Sequence, residues 1–268
     1  MMTQKDWETL CKETAVQMRE HVARYTTPIL KVLSNDHGEL LGSGSYCEFS
    51  GRRFLITNEH IARKEQSSPL AHMFSGNDNV MRLIHKFQTQ PHPIDVALSP
   101  IDESTWKLVD HNSLVIPAER FSEHSRVVEH ELLFMAGYSG QRSKFNFGYL
   151  HSRGTPYTTQ ECPLPTDSAV NSKKHFAIHY NPEMSTNTDG SSSGLPLPPG
   201  LSGSLVWSTR RVEALQNGET WSPLNANVVG IIWGWPSGTS LVATKYDHMQ
   251  LFKLANKQCP PPLSSKTS

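Results

Sequence analysis

The stretch "PPGLSGSLVW", Pro198 to Trp207, joins a glycine-flanked serine to an apolar run. Ser202 is followed by Gly203, and Gly200 precedes it by two positions. Glycine adopts backbone angles that other residues rarely tolerate, so the stretch predicts a tight turn that leads into a strand. Taken alone, this pattern fits a nucleophilic serine on a turn and also fits an ordinary serine in a Ser/Gly/Pro-rich loop.

Short apolar runs recur along the chain on both sides of this turn, at intervals of roughly ten residues. They are rich in β-branched and aromatic residues, and turn signals such as "NDHG" and "SGR" separate them. Strands that alternate with long helical patterns do not occur in the sequence. The pattern therefore predicts an all-β barrel or sandwich.

The two ends of the chain depart from the strand pattern. Apolar residues from Trp7 to Val22 recur at three- and four-residue steps, which predicts a helix over about Asp6 to Tyr25 that packs on the body of the protein. The segment "DHMQLFKLAN" predicts a short helix near the C-terminus. We expect the last residues, 259–268, to form a flexible tail.

Composition excludes several classes of function. The chain has 268 residues, with 25 Lys and Arg against 25 Asp and Glu, so no basic surface for nucleic acid or an anionic membrane is predicted. None of the 13 histidines pairs with cysteine or acidic residues at metal-binding spacing, so no metal site is predicted. The longest apolar run, "VVGIIWGW", is much shorter than the roughly twenty residues of a membrane span.

Cysteine usage and the N-terminal sequence bear on the compartment. The four cysteines show no repeating spacing, and the charged N-terminus lacks the apolar core of a secretory signal. We therefore expect four free thiols and a cytoplasmic location. The cysteines are Cys11, Cys47, Cys162 and Cys259.

Three distant segments carry complementary chemistry. "FLITNEHIA" delivers His60 at the end of an apolar run, "PIDVALSPI" places Asp95 at the start of another, and the glycine turn carries Ser202. A serine hydroxyl becomes a nucleophile when a base lies within hydrogen-bond reach and a carboxylate orients that base. The backbone N–H groups of Gly200 and Ser202 could stabilise the resulting oxyanion. Together the segments predict a His–Asp–Ser triad.

These motifs resemble those of trypsin-like (chymotrypsin-fold) serine peptidases, specifically the bacterial, disulfide-free type related to the HtrA-like proteases. The resemblance covers roughly Ile29 to Phe252, and residues 151–199 fit it poorly beyond one strand. Five segments carry it: Thr57–His60 resembles "TNAH", Asp95–Leu98 resembles "D-[IV]-A-L", Glu131–Gly140 resembles "…AIGYPG", Gly200–Leu205 resembles "G-x-S-G-G-P-L", and Val228–Gly234 resembles "VVGI…WG".

The resemblance implies an all-β fold of two six-stranded antiparallel β-barrels, with an N-terminal helix and a short C-terminal helix. The expected divisions are the helix at 1–27, a first lobe at 28–139 with His60 and Asp95, and a second lobe at 140–258 with Ser202. "GYSG", around Ser139, is expected to be a turn between the lobes.

The implied activity is hydrolysis of peptide bonds in a protein or peptide substrate through an acyl-enzyme, without metal or organic cofactor. Ser202 would attack, His60 would transfer the proton, and Asp95 would orient His60. The strand residues Ile232, Trp233 and Gly234 would bind the substrate.

Several departures and alternatives stay open. Glu59 and Ser204 stand where the family has small residues, and we expect Glu59 to face solvent. Asp102 is interpreted as a helix N-cap, and His92 as a residue of a surface loop or of the cleft. The polar segment 181–199 could be a switch that an activating protein partner orders, or a disordered insertion. A catalytically silent peptide-binding module is the alternative function.

Overall fold

The computed structural model describes residues 3–34, 37–146, 149–185, 194–236 and 238–257. Over these residues the chain is mostly β-structure, with fifteen strands in two sheets and five short or medium α-helices. The all-β fold class that the sequence predicts is confirmed, including a helix at each end of the described chain.

The first sheet contains eight strands and carries two of the three predicted catalytic residues at its strand ends. Its central strands pair antiparallel in the order β5-β4-β1-β2-β3-β7-β6, and β8 runs parallel to β2. The strands are β1 (Thr26–Val32), β2 (Gly38–Phe49), β3 (Arg52–Thr57), β4 (Leu70–Met73), β5 (Val80–Arg82), β6 (Gln88–Gln90), β7 (Val96–Pro100) and β8 (Ile116–Pro117).

The second sheet contains seven strands, and one of them, β13, begins three residues after the predicted nucleophile Ser202. Its antiparallel order is β10-β9-β13-β14-β15-β12-β11. The strands are β9 (Leu133–Asn146), β10 (Tyr149–Thr159), β11 (Glu161–Cys162), β12 (His175–His179), β13 (Leu205–Ser208), β14 (Asn227–Gly234) and β15 (Ser240–Lys245).

The longest helix is N-terminal, as predicted. Thr3 caps it through a reciprocal arrangement with Asp6, which explains why it begins slightly earlier than the apolar periodicity indicates. Its buried residues recur every fourth position and turn one face to the protein. The helices are α1 (Gln4–Ala23), α2 (Glu59–Ala62), α3 (Glu103–Trp106), α4 (Arg211–Asn217) and α5 (Leu251–Lys257).

One hydrophobic cluster joins the two sheets and both terminal helices. Phe54 and Val96 from the first sheet, Trp207 and Ile231 from the second, and Met18 from α1 are all buried in it. Burial of each such side chain contributes about 1.5–3 kcal/mol, so the facing surfaces of the two lobes are held together mainly by apolar packing. The two sheets consequently share one hydrophobic core.

Two details differ from the sequence prediction. The sheets hold eight and seven strands, whereas the resemblance implies six in each barrel. Strands β5, β6, β8 and β11 have two or three residues and form no recognisable apolar run. The second sheet starts at Leu133, so the expected boundary at 139/140 and the expected turn at "GYSG" fall inside β9. Gly137 and Gly140 remain part of this extended strand.

Three further sequence predictions concern cysteines, membrane spans and the tail. Cys11, Cys47 and Cys162 are free thiols, whereas Cys259 lies outside the described residues. No helix in the described ranges has the length and apolar character needed to cross a membrane. The tail predicted at 259–268 also lies outside the described residues.

Candidate active site

His60 lies on a single helical turn immediately after a buried strand. Strand β3 ends at Thr57, Asn58 is extended, and α2 begins at Glu59. The buried amide of Asn58 donates a hydrogen bond from Nδ2 to the backbone oxygen of Asp95 at 2.8 Å. The end of β3 and the start of β7 are therefore tied together beside the imidazole.

Asp95 binds His60 through both of its carboxylate oxygens. The distance from His60 Nδ1 to Asp95 Oδ2 is 2.6 Å, and the backbone N–H of His60 donates to Oδ1 at 2.9 Å. The carboxylate is nearly buried, whereas about a third of the His60 side chain is exposed. A neutral imidazole that donates from Nδ1 keeps its Nε2 lone pair available as a base.

The loop that carries Asp95 is fixed by residues of the second sheet. His175 Nε2 is 2.6 Å from the Pro93 oxygen, and Thr244 Oγ1 donates to the Ile94 oxygen at 2.8 Å. Burial lowers the pKa of His175, so the ring stays neutral. Its Nδ1 accepts a hydrogen bond from Asn171 N at 3.0 Å, which makes Nε2 the protonated donor.

The nucleophile turn at 198–202 has all of its carbonyl oxygens committed to hydrogen bonds. Pro198 O accepts from Leu201 N within the turn at 2.8 Å, and Leu201 O accepts from Ser204 N just after it at 3.1 Å. Pro199 O accepts from Gly140 N at 2.9 Å, and Ser202 O accepts from Ser43 N at 2.7 Å. Ser43 Oγ donates to Gly200 O at 2.9 Å. No carbonyl oxygen of the turn is therefore free to point into the site where a substrate oxyanion would bind.

Two N–H groups of the same turn have no hydrogen-bond acceptor among the described residues, namely those of Gly200 and Ser202. In a trans peptide the C=O and N–H bonds point in opposite directions. Since Pro199 O and Leu201 O are held by their partners, the N–H groups that follow them point away from those partners. These are the two groups that the sequence predicts as oxyanion donors.

Glycine is required on both sides of Ser202. Gly200 has φ +100°, and a β-carbon there would lie 2.6 Å from Tyr138 O. Gly203 has φ +89°, and a β-carbon there would lie 1.9 Å from Ser43 O. A larger residue at either position would force the backbone apart, because real β-carbons do not approach that closely.

The hydroxyl of Ser202 points toward strand β14. It donates to Trp233 O at 3.5 Å, and within the described chain no hydrogen bond joins it to the imidazole of His60. The structure thus brings His60 and Asp95 into direct contact and leaves Ser202 without its predicted partner. Catalytic hydrogen bonds are often long or misaligned before a substrate binds.

A cavity of about 390 Å³ opens beside His60 and Asp95. Its walls include Trp233 and His92, so His92 lines the cleft. Glu59 also lines it and lies 3.8 Å from Arg63, with its side chain only 16% exposed. The expectation that Glu59 faces solvent is wrong, because the short helix α2 turns it back along the cleft.

The three predicted substrate-binding residues have different environments. Trp233 lines the cavity, and Gly234 pairs with Val242 in the second sheet. The backbone of Ile232 binds the two residues that follow the nucleophile turn, since its N–H donates to Ser204 O and its oxygen accepts from Gly203 N, both at 2.9 Å. Ile232 therefore holds the backbone directly after Ser202 in place.

Two sequence alternatives can be placed outside the cavity. Asp102 is the N-cap residue of α3, as interpreted, but its side chain makes no capping hydrogen bond and instead pairs with His85 at 2.6 Å. Ser204 is buried, and its hydroxyl has no partner among the described residues. The missing side chain at Gly137 leaves the space that the Ser204 side chain occupies.

The segment proposed as a switch, 181–199, is described in part. Residues 186–193 lie outside the described chain. Nearer the turn, Leu197 O accepts from Ser139 Oγ at 3.0 Å and Leu197 N donates to Gln141 Oε1 at 2.7 Å. The stretch directly before the nucleophile turn is therefore bonded to β9.

Sequence reasoning missed the residues that hold the site in shape. They share one feature, a side-chain hydrogen bond donated to a distant backbone oxygen: Ser43, Asn58, His175 and Thr244. Only Asn58 carried a signal, since it lies inside the motif around His60. The others stand in ordinary strand patterns, which do not reveal such contacts.

Comparison with known proteins gives fold similarity alone. No protein-family model matches the sequence, and no curated protein matches it. One similar solved structure comes from work on the coupled folding and binding of the disordered Sesbania mosaic virus VPg protein. It has 12% identity and a TM-score of 0.42, and the match covers 87% of this chain and 90% of that chain.

Another similar structure is the apo form of the MamO protease domain from Magnetospirillum magneticum. It has 12% identity and a TM-score of 0.46, and the match covers 83% of this chain and 92% of that chain. Neither likeness assigns a role to a residue of this chain.

Proposed function

We propose that this protein is a serine endopeptidase of the trypsin-like, HtrA-related type. The observation that carries the proposal is the nucleophile turn, in which every carbonyl is bonded and the N–H groups of Gly200 and Ser202 have no acceptor among the described residues. Such a turn is suited to stabilise an oxyanion. The adjacent His60–Asp95 pair supplies an oriented base.

The proposed reaction begins with rotation of the Ser202 hydroxyl from Trp233 O toward Nε2 of His60. The serine oxygen bonds to the substrate carbonyl carbon while His60 takes the hydroxyl proton. The N–H groups of Gly200 and Ser202 hold the negative oxygen, and the charged imidazole is stabilised by Asp95. His60 then protonates the leaving amine, which yields an acyl-enzyme that water hydrolyses.

A catalytically silent peptide-binding module is the second candidate. The 3.5 Å contact of Ser202 with Trp233 O, in place of a bond to His60, is the observation that favours it. An intermediate case is a peptidase that a protein partner activates, through the segment 181–199. All three possibilities differ in when Ser202 becomes reactive.

The test is labelling with a fluorophosphonate probe, which requires an activated serine in a formed oxyanion site. The wild-type protein should be labelled at Ser202, identified by mass spectrometry, and Ser202→Ala should lose both labelling and casein cleavage. Ser204→Ala is the matched control: it removes a buried hydroxyl without a partner two residues away, so labelling should persist.

The outcomes separate the candidates. Labelling of the wild type only after addition of bacterial lysate would support a peptidase with an activating partner. Absence of labelling under all of these conditions would overturn the peptidase and leave the binding module. Equal labelling of Ser202→Ala would assign the reactive group to another residue and overturn the mechanism.

A further inference from the structure

We propose that the side-chain hydroxyl of Ser43 is a positioning group that sets the oxyanion turn, an inference that rests on the proposed peptidase function. Ser43 lies in β2 of the first sheet and is fully buried. It is separated from the nucleophile turn by more than 150 residues in sequence, yet it contacts the turn through two different groups.

The hydroxyl bridges the nucleophile turn and strand β9 of the second sheet. It donates to Gly200 O at 2.9 Å and accepts from Tyr138 N at 2.8 Å. A serine hydroxyl has one proton to donate, so these two bonds fix its rotamer and direction. The backbone N–H of the same residue donates to Ser202 O at 2.7 Å. Ser43 thus holds the carbonyls on both sides of Leu201.

These bonds hold the Gly200–Leu201 and Ser202–Gly203 peptide planes, which border the planes that carry the proposed oxyanion donors. The Gly200 N–H follows Pro199 O and the Ser202 N–H follows Leu201 O, so each donor plane shares an α-carbon with a plane that Ser43 holds. If the plane after Gly200 rotated, its carbonyl would leave the Ser43 hydroxyl and the following turn would change shape. The side chain of Leu201 is fully buried on the other side of the turn, which limits movement away from Ser43. The turn is therefore clamped between the two lobes.

The Ser43 hydroxyl contributes hydrogen bonds that an apolar side chain of similar size could not make. Its removal would leave the Gly200 oxygen and the Tyr138 N–H without their partner at a part-buried site next to the fully buried Ser43, which is costly for backbone groups. The Gly200–Leu201 peptide plane could then rotate until the Gly200 oxygen binds another donor or water. The expected result is a disordered or misdirected oxyanion site in a protein whose substrate contacts are unchanged.

The test compares single variants of the full-length chain with the fluorophosphonate probe and a cleaved peptide. Ser43→Ala should lower the rate constant of labelling and kcat by about tenfold or more, because oxyanion alignment is lost, while KM changes little. Ser43→Thr keeps the hydroxyl and should restore most of the rate. Ser45→Ala is the control, since Ser45 is a buried serine of the same strand whose hydroxyl has no partner among the described residues.

Rates are compared per folded molecule, with folding checked by tryptophan fluorescence. If Ser43→Ala does not fold, Ser43→Gly provides the same loss of the hydroxyl without a methyl group, and the same fall is expected. Wild-type labelling rates in either variant would overturn the inference, even if the melting temperature fell. A wild type that never labels would overturn the peptidase and this inference with it, whereas equal labelling overturns the inference alone.

Discussion

Asp95 performs two tasks because its backbone and its side chain both deviate from strand geometry. It has φ +53°, in the left-handed region that Asp and Asn tolerate better than most residues. This conformation ends the preceding turn and lets both carboxylate oxygens reach His60 before β7 begins. The position therefore accepts Asn for conformational reasons but requires a carboxylate for its hydrogen bonds.

Asp95→Asn should consequently separate folding from chemistry. We expect nearly unchanged stability and a fall in labelling and kcat of several orders of magnitude, about 10⁴ in a well-studied triad, because an amide favours the wrong His60 tautomer. Labelling quenched at successive times measures the labelling rate, and urea unfolding measures the stability. Asp102→Asn is the matched control, because it alters the exposed His85–Asp102 pair outside the cavity and should leave labelling unchanged. Labelling of Asp95→Asn within tenfold of wild type would contradict the assigned role.

For single residues, the sequence predicted the candidate catalytic side chains better than their orientations and the residues that hold them in place. His60 and Asp95 could be paired because residue type, order and position at strand ends all agreed. The direction of the Ser202 hydroxyl and the inward position of Glu59 depend on rotamers and on a four-residue helix. Local patterns do not determine such features, because cross-lobe contacts select among near-equal rotamers.

The loop before β7 shows how elements of one sheet control a residue of the other. Its carbonyls at Pro93 and Ile94 are bonded by His175 of β12 and Thr244 of β15. The Asp95 carboxylate next to them belongs to the first sheet by sequence. The His60–Asp95 geometry therefore depends on the second sheet, before any contribution from Ser202.

Thr244→Val should test that dependence, since it keeps the side-chain shape and removes only the hydroxyl. We expect a loss of about 1 kcal/mol in unfolding free energy and a several-fold fall in labelling rate, because the Ile94 oxygen loses its donor and the loop loosens. Thr155→Val is the control: the Thr155 hydroxyl is buried in the same sheet and has no partner among the described residues, so stability should stay the same or rise. A labelling rate in Thr244→Val equal to that of Thr155→Val would show that the tether does not orient Asp95.

The elements themselves were largely predictable, with a consistent exception. Long amphipathic or apolar elements such as α1, β3, β7 and β14 correspond to clear sequence patterns. Strands of two or three residues and the long strand β9 through "GYSG" did not, because hydrogen bonds to neighbouring strands impose extended structure on residues with turn-like composition. Tertiary contacts decided those segments.

Across the whole molecule, the first lobe contains a buried histidine that the proposed catalysis does not use. His72 of β4 is fully buried among Tyr46, Phe74 and other aromatic residues, and its Nδ1 is 2.7 Å from the Tyr46 hydroxyl. Its Nε2 has no hydrogen-bond partner within the described residues. Burial, and to a smaller extent the nearby His111, lowers the pKa of His72 from 6.5 to about 3.

This shift couples folding to pH with a definite sign. Between about pH 6.5 and pH 3 the unfolded chain binds a proton at His72 that the folded protein does not, so acid favours unfolding. One such group contributes a slope of up to about 1.4 kcal/mol per pH unit in this window. Above pH 6.5 both states are neutral at His72 and its contribution no longer depends on pH.

We expect His72→Leu to remove that slope, whatever its cost at neutral pH. Urea unfolding of wild type and variant, followed by tryptophan fluorescence from pH 7.5 to pH 4, gives the difference in unfolding free energy at each pH. That difference should move in favour of the variant by about 1.4 kcal/mol per pH unit below pH 6, because only the wild type gains a proton at this position on unfolding. Taking the difference between the two proteins removes the contributions that they share. Two parallel stability curves would mean that His72 is protonated as easily in the folded lobe as in the unfolded chain.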